Sequence, residues 1–131
     1  MPTKTIYLAD DDPDDRFLIR EAIKEVNPEI KIIETDNGLA LLSLIREITE
    51  PESTLILLDM NMPKMNGLET ITALRSDPTL PLIPAMMIST SYDHSLAEEA
   101  FRAGINGYMT KPVTYEGFID MGHQLVARFL A

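Results

Sequence analysis

The chain has no cysteine. That removes disulfide frameworks and thiolate metal sites, and it fits a cytoplasmic home. Long apolar runs are missing too. No stretch approaches the roughly 18 consecutive apolar residues that a membrane-spanning helix needs. Met1-Pro2-Thr3-Lys4 leads into a short apolar run and then acids, unlike a secretory signal. Basic residues are scarce: 11 Lys and Arg stand against 21 Asp and Glu, a formal net charge of -10. Such a surface repels a phosphate backbone, which argues against direct nucleic-acid binding. The two histidines, His94 and His123, lack metal-ligand spacing and read as surface residues. There is no internal repeat, low-complexity tract or linker. With 131 residues, 45% of them apolar, the chain is expected to form one domain, 1–131, with its own core.

What is present is an alternation of short apolar runs and longer amphipathic segments. Ile6-Tyr7-Leu8-Ala9 reads as a strand, and Asp12-Pro13 as an N-cap followed by proline in the first helical turn. The helix that follows carries Leu18, Ala22 and Val26 on one face, beside Ile19 and Ile23, and Asn27-Pro28 ends it. Ile30 to Glu34 is a weaker, mixed strand. Asn37-Gly38 opens a second helix with Leu41, Leu42, Ile45 and Ile48. Leu55-Ile56-Leu57-Leu58 is a fully apolar strand, and Asn66-Gly67 opens a third helix that Asp77-Pro78 closes. Ala85 to Ile88 is a fourth strand. A polar, poorly amphipathic helix around Ser95–Ala103 ends at Gly104, and Gly107-Tyr108-Met109 is a short fifth strand. Thr114 to Leu130 forms the last helix, with Phe118, Leu125 and Phe129 on one stripe. The eight methionines are read as core filler.

Five strands alternating with five helices imply an α/β fold: a doubly wound parallel sheet with helices on both faces. Runs one, three and four are unbroken apolar stretches, as central parallel strands are, and runs two and five are mixed, as edge strands are. The expected order is therefore 2-1-3-4-5, with binding sites beyond the carboxyl ends of the strands.

Those ends carry a coherent set of groups. Strand one runs into Asp10-Asp11-Asp12, strand three ends in Asp59, strand four in Ser89-Thr90, and strand five reaches Lys111-Pro112. Converging carboxylates repel one another and call for a cation. Without cysteine, a hard ion held by oxygen ligands suits them, and Mg²⁺ (or Mn²⁺) fits. Lys111 adds a second positive charge and Ser89 a hydroxyl. Together they match what phosphoryl transfer to a carboxylate requires, with Asp59 as nucleophile. Asp12 is read as a helix cap rather than a ligand.

The residues resemble the receiver domains of two-component response regulators, including the single-domain chemotaxis type. Leu57-Leu58-Asp59-Met60-Asn61-Met62-Pro63-Lys64-Met65-Asn66-Gly67 is similar to the phosphoacceptor loop. Leu8-Ala9-Asp10-Asp11-Asp12-Pro13 resembles the acidic metal-binding loop, and Gly107-Tyr108-Met109-Thr110-Lys111-Pro112 the segment that carries the family's lysine. The resemblance implies that Asp59 is the phosphoacceptor. It makes Asp10, Asp11, Asp59 and the backbone carbonyl of Asn61 the metal site, with Asp11 the more direct ligand of the acidic pair. It makes Ser89 the switch hydroxyl, Tyr108 the switch aromatic and Lys111 the phosphoryl contact, and it suggests a cis peptide at Lys111-Pro112.

It further implies a stand-alone receiver, 1–131, with no output domain. Such a chain takes its phosphoryl group from a sensor histidine kinase or a histidine phosphotransfer protein. It assists its own phosphorylation and dephosphorylation without being a turnover enzyme. It signals through the face made by helix 4, strand 5 and helix 5 to a downstream protein, as a cytoplasmic monomer or weak homodimer with no role for membrane or nucleic acid. Other readings compete. A haloacid-dehalogenase-type phosphatase also places Asp after a central strand but needs a second acid two positions later, where this chain has Asn61. A flavodoxin-like nucleotide or flavin module needs a phosphate-binding loop after strand one, where three acids stand instead. A receiver used only as a non-phosphorylated scaffold is the remaining alternative.

Overall fold

The computed structural model describes residues 4–90 and 92–130, the last two without their side chains. Five parallel strands, β1 (Thr5–Ala9), β2 (Lys31–Thr35), β3 (Thr54–Asp59), β4 (Ala85–Ser89) and β5 (Gly107–Thr110), lie in the order β2-β1-β3-β4-β5. Five helices connect or follow them: α1 (Pro13–Val26), α2 (Gly38–Ile45), α3 (Gly67–Ser76), α4 (His94–Ala103) and α5 (Tyr115–Leu125). The expected doubly wound α/β order is the one observed.

Alternation along β3 divides the core in two. Leu55 and Leu57 face one side, where they meet Ile19, Ala22 and Ile23 of α1 and Phe118, Met121 and Leu125 of α5. Ile56 and Leu58 face the other, against Leu41 and Ile45 of α2, Ile71 and Leu74 of α3 and Ala100 of α4. A strand buried on both faces cannot alternate with polar residues, which is why it reads as an unbroken apolar run. Met60, Met86, Met87 and Met121 are buried, and Met62, Met65 and Met109 are partly so, in keeping with gap filling; Met1 lies outside the described residues.

Helix starts follow local chemistry. The Asp12 carboxylate accepts from the N–H groups of Asp14 (2.9 Å) and Asp15 (3.4 Å), so Asp12 is a cap, as expected. Asn66 accepts from the Glu69 N–H while Glu69 accepts from the Asn66 N–H, a reciprocal capping box that starts α3.

Several boundaries differ from the sequence expectation. α2 stops at Ile45, because the Glu47 and Ile48 N–H groups bond three residues back, to Leu44 and Ile45, and tighten the last turn. Ile48 packs on the core from beyond the helix. The last helix is α5 to Leu125, then a π-helical stretch, Val126–Leu130. The Phe129 side chain lies outside the described residues. α4 is two-faced after all: Ala97 and Ala100 are buried, while Glu98, Glu99 and Arg102 are exposed. Its apolar stripe is built from small residues, which leaves little hydrophobic signal in the sequence. The peptide before Pro112 is trans, correcting the cis expectation; trans is the intrinsically favoured isomer before proline. His94 and His123 are exposed, as read.

Candidate functional site

The last rungs of the sheet hold the site. The Asp10 N–H donates to the Thr35 carbonyl (3.0 Å), the Met60 N–H to Ile88 (2.9 Å) and the Lys111 N–H to Ser89 (2.6 Å). β1, β3 and β5 therefore keep their ladders for one step past their ends. Asp10, Asp59, Ser89 and Lys111 are carried to one rim on rigid backbone, and all four are buried. Asp11, one residue further, is exposed.

Beyond β3 the chain must turn tightly into α3. Gly67 makes this possible: its N–H bonds to the Met60 carbonyl (2.9 Å), and a Cβ there would stand 2.5 Å from the Asp59 carbonyl oxygen. Lys64, at the tip of this turn, takes a left-handed conformation with φ 65.

Carboxylate oxygens of Asp10, Asp11 and Asp59 lie within 4.8 Å of one another. The Lys111 ammonium stands among acids: 2.9 Å from Asp15 Oδ2, 3.0 Å from Asp10 Oδ2 and 3.5 Å from Asp59 Oδ2. Asp10 Oδ1 accepts from the Asp12 N–H (3.0 Å), and Asp59 Oδ1 accepts from the Asn61 N–H (3.3 Å). Asp10 Oδ2 is buried, and its close contact is the ion pair with the Lys111 ammonium at 3.0 Å.

Burial and the neighbouring Asp10 charge push Asp59 up to about 7, against the pull of Lys111 and the Asn61 N–H. Asp10 is raised as well, chiefly by burial. Burial alone would lower Lys111, but its bonds and charge contacts with Asp15, Asp10 and Asp59 outweigh that and raise it. The ammonium is therefore charged and the acids are incompletely compensated. Three convergent acids, two of them buried, and a raised Asp59 suit a hard divalent cation with oxygen ligands.

Ser89 ends β4, one step beyond Ile88, the β4 partner of Asp59. Tyr108, on β5, is half-buried against the α2–α3–α4 side of the core and meets Tyr92 edge-on, with ring centroids 5.4 Å apart. Asn61 follows Asp59 closely enough for its N–H to bond the carboxylate. The acids, Lys111, Ser89 and the Asn61 turn are thus gathered at one end of the sheet, with Tyr108 two rungs away from Thr110 on the edge strand.

Two residues in the site escaped the sequence reading. Asp15 accepts a hydrogen bond from Lys111 (2.9 Å), across most of the chain's length. Arg16 donates to the Asp10 carbonyl (2.6 Å) and pairs with Glu34 (3.3 Å), which Arg20 also contacts. In sequence both look like ordinary residues of a first helical turn. Only their nearness to the acidic loop, on the helix that loop opens, could have pointed to them.

Comparison with known proteins agrees with this geometry. Residues 6–121 match the model of the response regulator receiver domain. Response regulator Rcp1 of Synechocystis sp. is 31% identical over 114 residues, which span 84% of this chain and 78% of Rcp1. The structure of the phosphorylated cyanobacterial phytochrome response regulator RcpA superposes with a TM-score of 0.87 at 28% identity, over 99% of this chain and 96% of that one. The Mn²⁺-bound form of Rcp1 does so with a TM-score of 0.82 at 27% identity, over 97% and 94%. The cluster of Asp10, Asp11 and Asp59 fits the metal site of such domains. This chain belongs to the response regulator receiver domains of two-component signalling.

Proposed function

We propose that the chain is a phosphorylation-controlled binding switch in which Asp59 accepts the phosphoryl group. The observation that carries this is the placement of a buried carboxylate between two further acids and a charged lysine, at the end of a central strand. A phosphohistidine on a sensor histidine kinase or histidine phosphotransfer protein is the donor. An Asp59 oxygen forms a bond to phosphorus as the N–P bond breaks, and the electron pair returns to the imidazole nitrogen, which takes up a proton from solvent. Hydrolysis reverses the modification: water attacks phosphorus, the Asp59 carboxylate is restored and inorganic phosphate leaves.

Asp10, Asp11, Asp59 and the Asn61 carbonyl would hold Mg²⁺ or Mn²⁺, which when bound would supply positive charge to the oxygens of the transferring group. Lys111 donates to the phosphoryl oxygens left uncovered, and the Ser89 hydroxyl donates to another. A phosphorylated Asp59 is a stronger acceptor than a carboxylate. It draws Ser89 inward, and Tyr108 follows into the space vacated. The surface of α4, β5 and α5, on which Tyr108 borders, thereby changes for a downstream protein. One receiver unit in the cytoplasm, monomeric or weakly dimeric, suffices for this.

A phosphatase of the haloacid-dehalogenase type is disfavoured, because position 61 offers an amide where that chemistry needs an acid. The test is incubation with Mg²⁺ and acetyl phosphate followed by intact mass. One added phosphoryl group is expected, lost in Asp59→Asn and with chelator. No mass change in the wild-type chain refutes the reading and favours the scaffold alternative.

A further inference from the structure

We propose that Asp15 is a positioning residue that holds the Lys111 ammonium back from Asp59, so that a carboxylate on α1 sets how strongly the resting site attracts a phosphoryl group. The inference rests on the assignment of Asp59 as phosphoacceptor.

Three acids compete for one ammonium, and the competition is uneven. Lys111 Nζ makes a hydrogen bond to Asp15 Oδ2 at 2.9 Å. Asp10 Oδ2 is nearly as close, at 3.0 Å, and Asp59 Oδ2 is the most distant at 3.5 Å. Of the two short contacts, the one to Asp15 goes to the one acid of the three that lies outside the proposed metal cluster, and the proposed phosphoacceptor is left furthest away. The pair is well shielded, with side-chain exposures of 7% for Lys111 and 22% for Asp15. Asp15 also sits in the first turn of α1, where the helix dipole favours a negative charge.

Asp15 affects an incoming phosphoryl group in two ways, and both have the same sign. Its charge offsets that of the ammonium meant for the phosphoryl oxygens, and it repels those oxygens directly. Removing one such charge about 6 Å away strengthens anion binding by about threefold at the dielectric of water and by about a hundredfold at an effective value near 20; for the part-exposed Asp15 carboxylate about tenfold is expected. A simple brace for Lys111 has the opposite consequence, since losing it would weaken phosphoryl binding. Removing the charge also weakens attraction for a divalent cation, so the two effects separate when the metal is kept saturating.

Asp15→Asn retains the size and an acceptor oxygen while removing the charge. The probe is beryllofluoride, a phosphoryl mimic, titrated at saturating Mg²⁺ and followed by ¹H–¹⁵N NMR. We expect the half-saturating concentration to fall by about tenfold in Asp15→Asn relative to wild type. Equal or weaker binding by the variant overturns the proposal. A second measurement needs no variant: the ¹³C signal of the Asp15 carboxyl in the wild-type chain should shift as the mimic loads and Lys111 turns to it. A signal that stays in place also overturns the proposal. If wild type neither binds the mimic nor gains mass with acetyl phosphate, the phosphoacceptor assignment itself fails. If wild type does both and the variant gains nothing, only the role of Asp15 fails.

Discussion

A Cβ added to Gly67 would stand 2.5 Å from the carbonyl oxygen of Asp59 and 2.9 Å from Met60 Cα. Both obstacles are backbone, so they cannot rotate away. Gly67→Ala is expected to push the start of α3 off β3 and to move the Asn61 turn. Phosphorylation by acetyl phosphate should slow by at least about tenfold, with a stability loss of roughly 1–3 kcal/mol by denaturant unfolding. Wild-type phosphorylation rates in this variant would contradict the close-approach argument.

Asp59 is raised to about 7 by burial and by the Asp10 charge. Its folded value thus exceeds its unfolded one, and between the two the folded chain binds the extra proton. Stability from this group is full below the unfolded value and is lost as pH rises through about 7. Metal-free protein should therefore melt at a higher temperature near pH 5 than near pH 7.5. Asp59→Asn should flatten that difference, and saturating Mg²⁺, which favours the ionised acids, should flatten it too. A metal-free melting temperature that climbs across this range would count against the charge balance described.

Lys111 forms ion pairs with the carboxylates of both Asp10 and Asp59. Lys111→Ala leaves two buried acids facing each other without it. In chelator the variant should lose about 3–5 kcal/mol, the cost of breaking a buried pair by removing one partner. Mg²⁺ should recover more stability in the variant than in wild type. Equal recovery, read from paired urea titrations, would show that Lys111 does little to neutralise the acids.

The capping box at Asn66 and Glu69 stands apart from the charge cluster. Asn66→Ala removes the acceptor for the Glu69 N–H and should cost about 1 kcal/mol. Because Gly67 still carries the bond to Met60, phosphoryl uptake should change less than twofold. Calorimetry and intact-mass time courses on one sample separate the two effects.

Periodicity and the strand-end residues were enough to place Asp10, Asp59, Ser89 and Lys111 on one rim, because a parallel sheet forces its carboxyl ends together. What was hidden were the contacts made by side chains that look like plain helix residues. The Asp15 carboxylate reads as a first-turn acid favoured by the helix dipole, and nothing local shows that the turn aims it at Lys111. The two faces of α4 were obscured for another reason: alanine adds little to a hydropathy pattern, although Ala97 and Ala100 are fully packed. The end of α2 was lost because a tightened last turn keeps Ile48 on the core without keeping it helical.

The three ladder bonds that run one step past the strands, at Asp10, Met60 and Lys111, have a wider meaning. They tie Asp10, Asp59 and Lys111 to the hydrogen-bonded frame of the sheet and leave the loops above them outside it. Substitutions in the outer loops and helix faces can therefore accumulate without altering the spacing of these three charges.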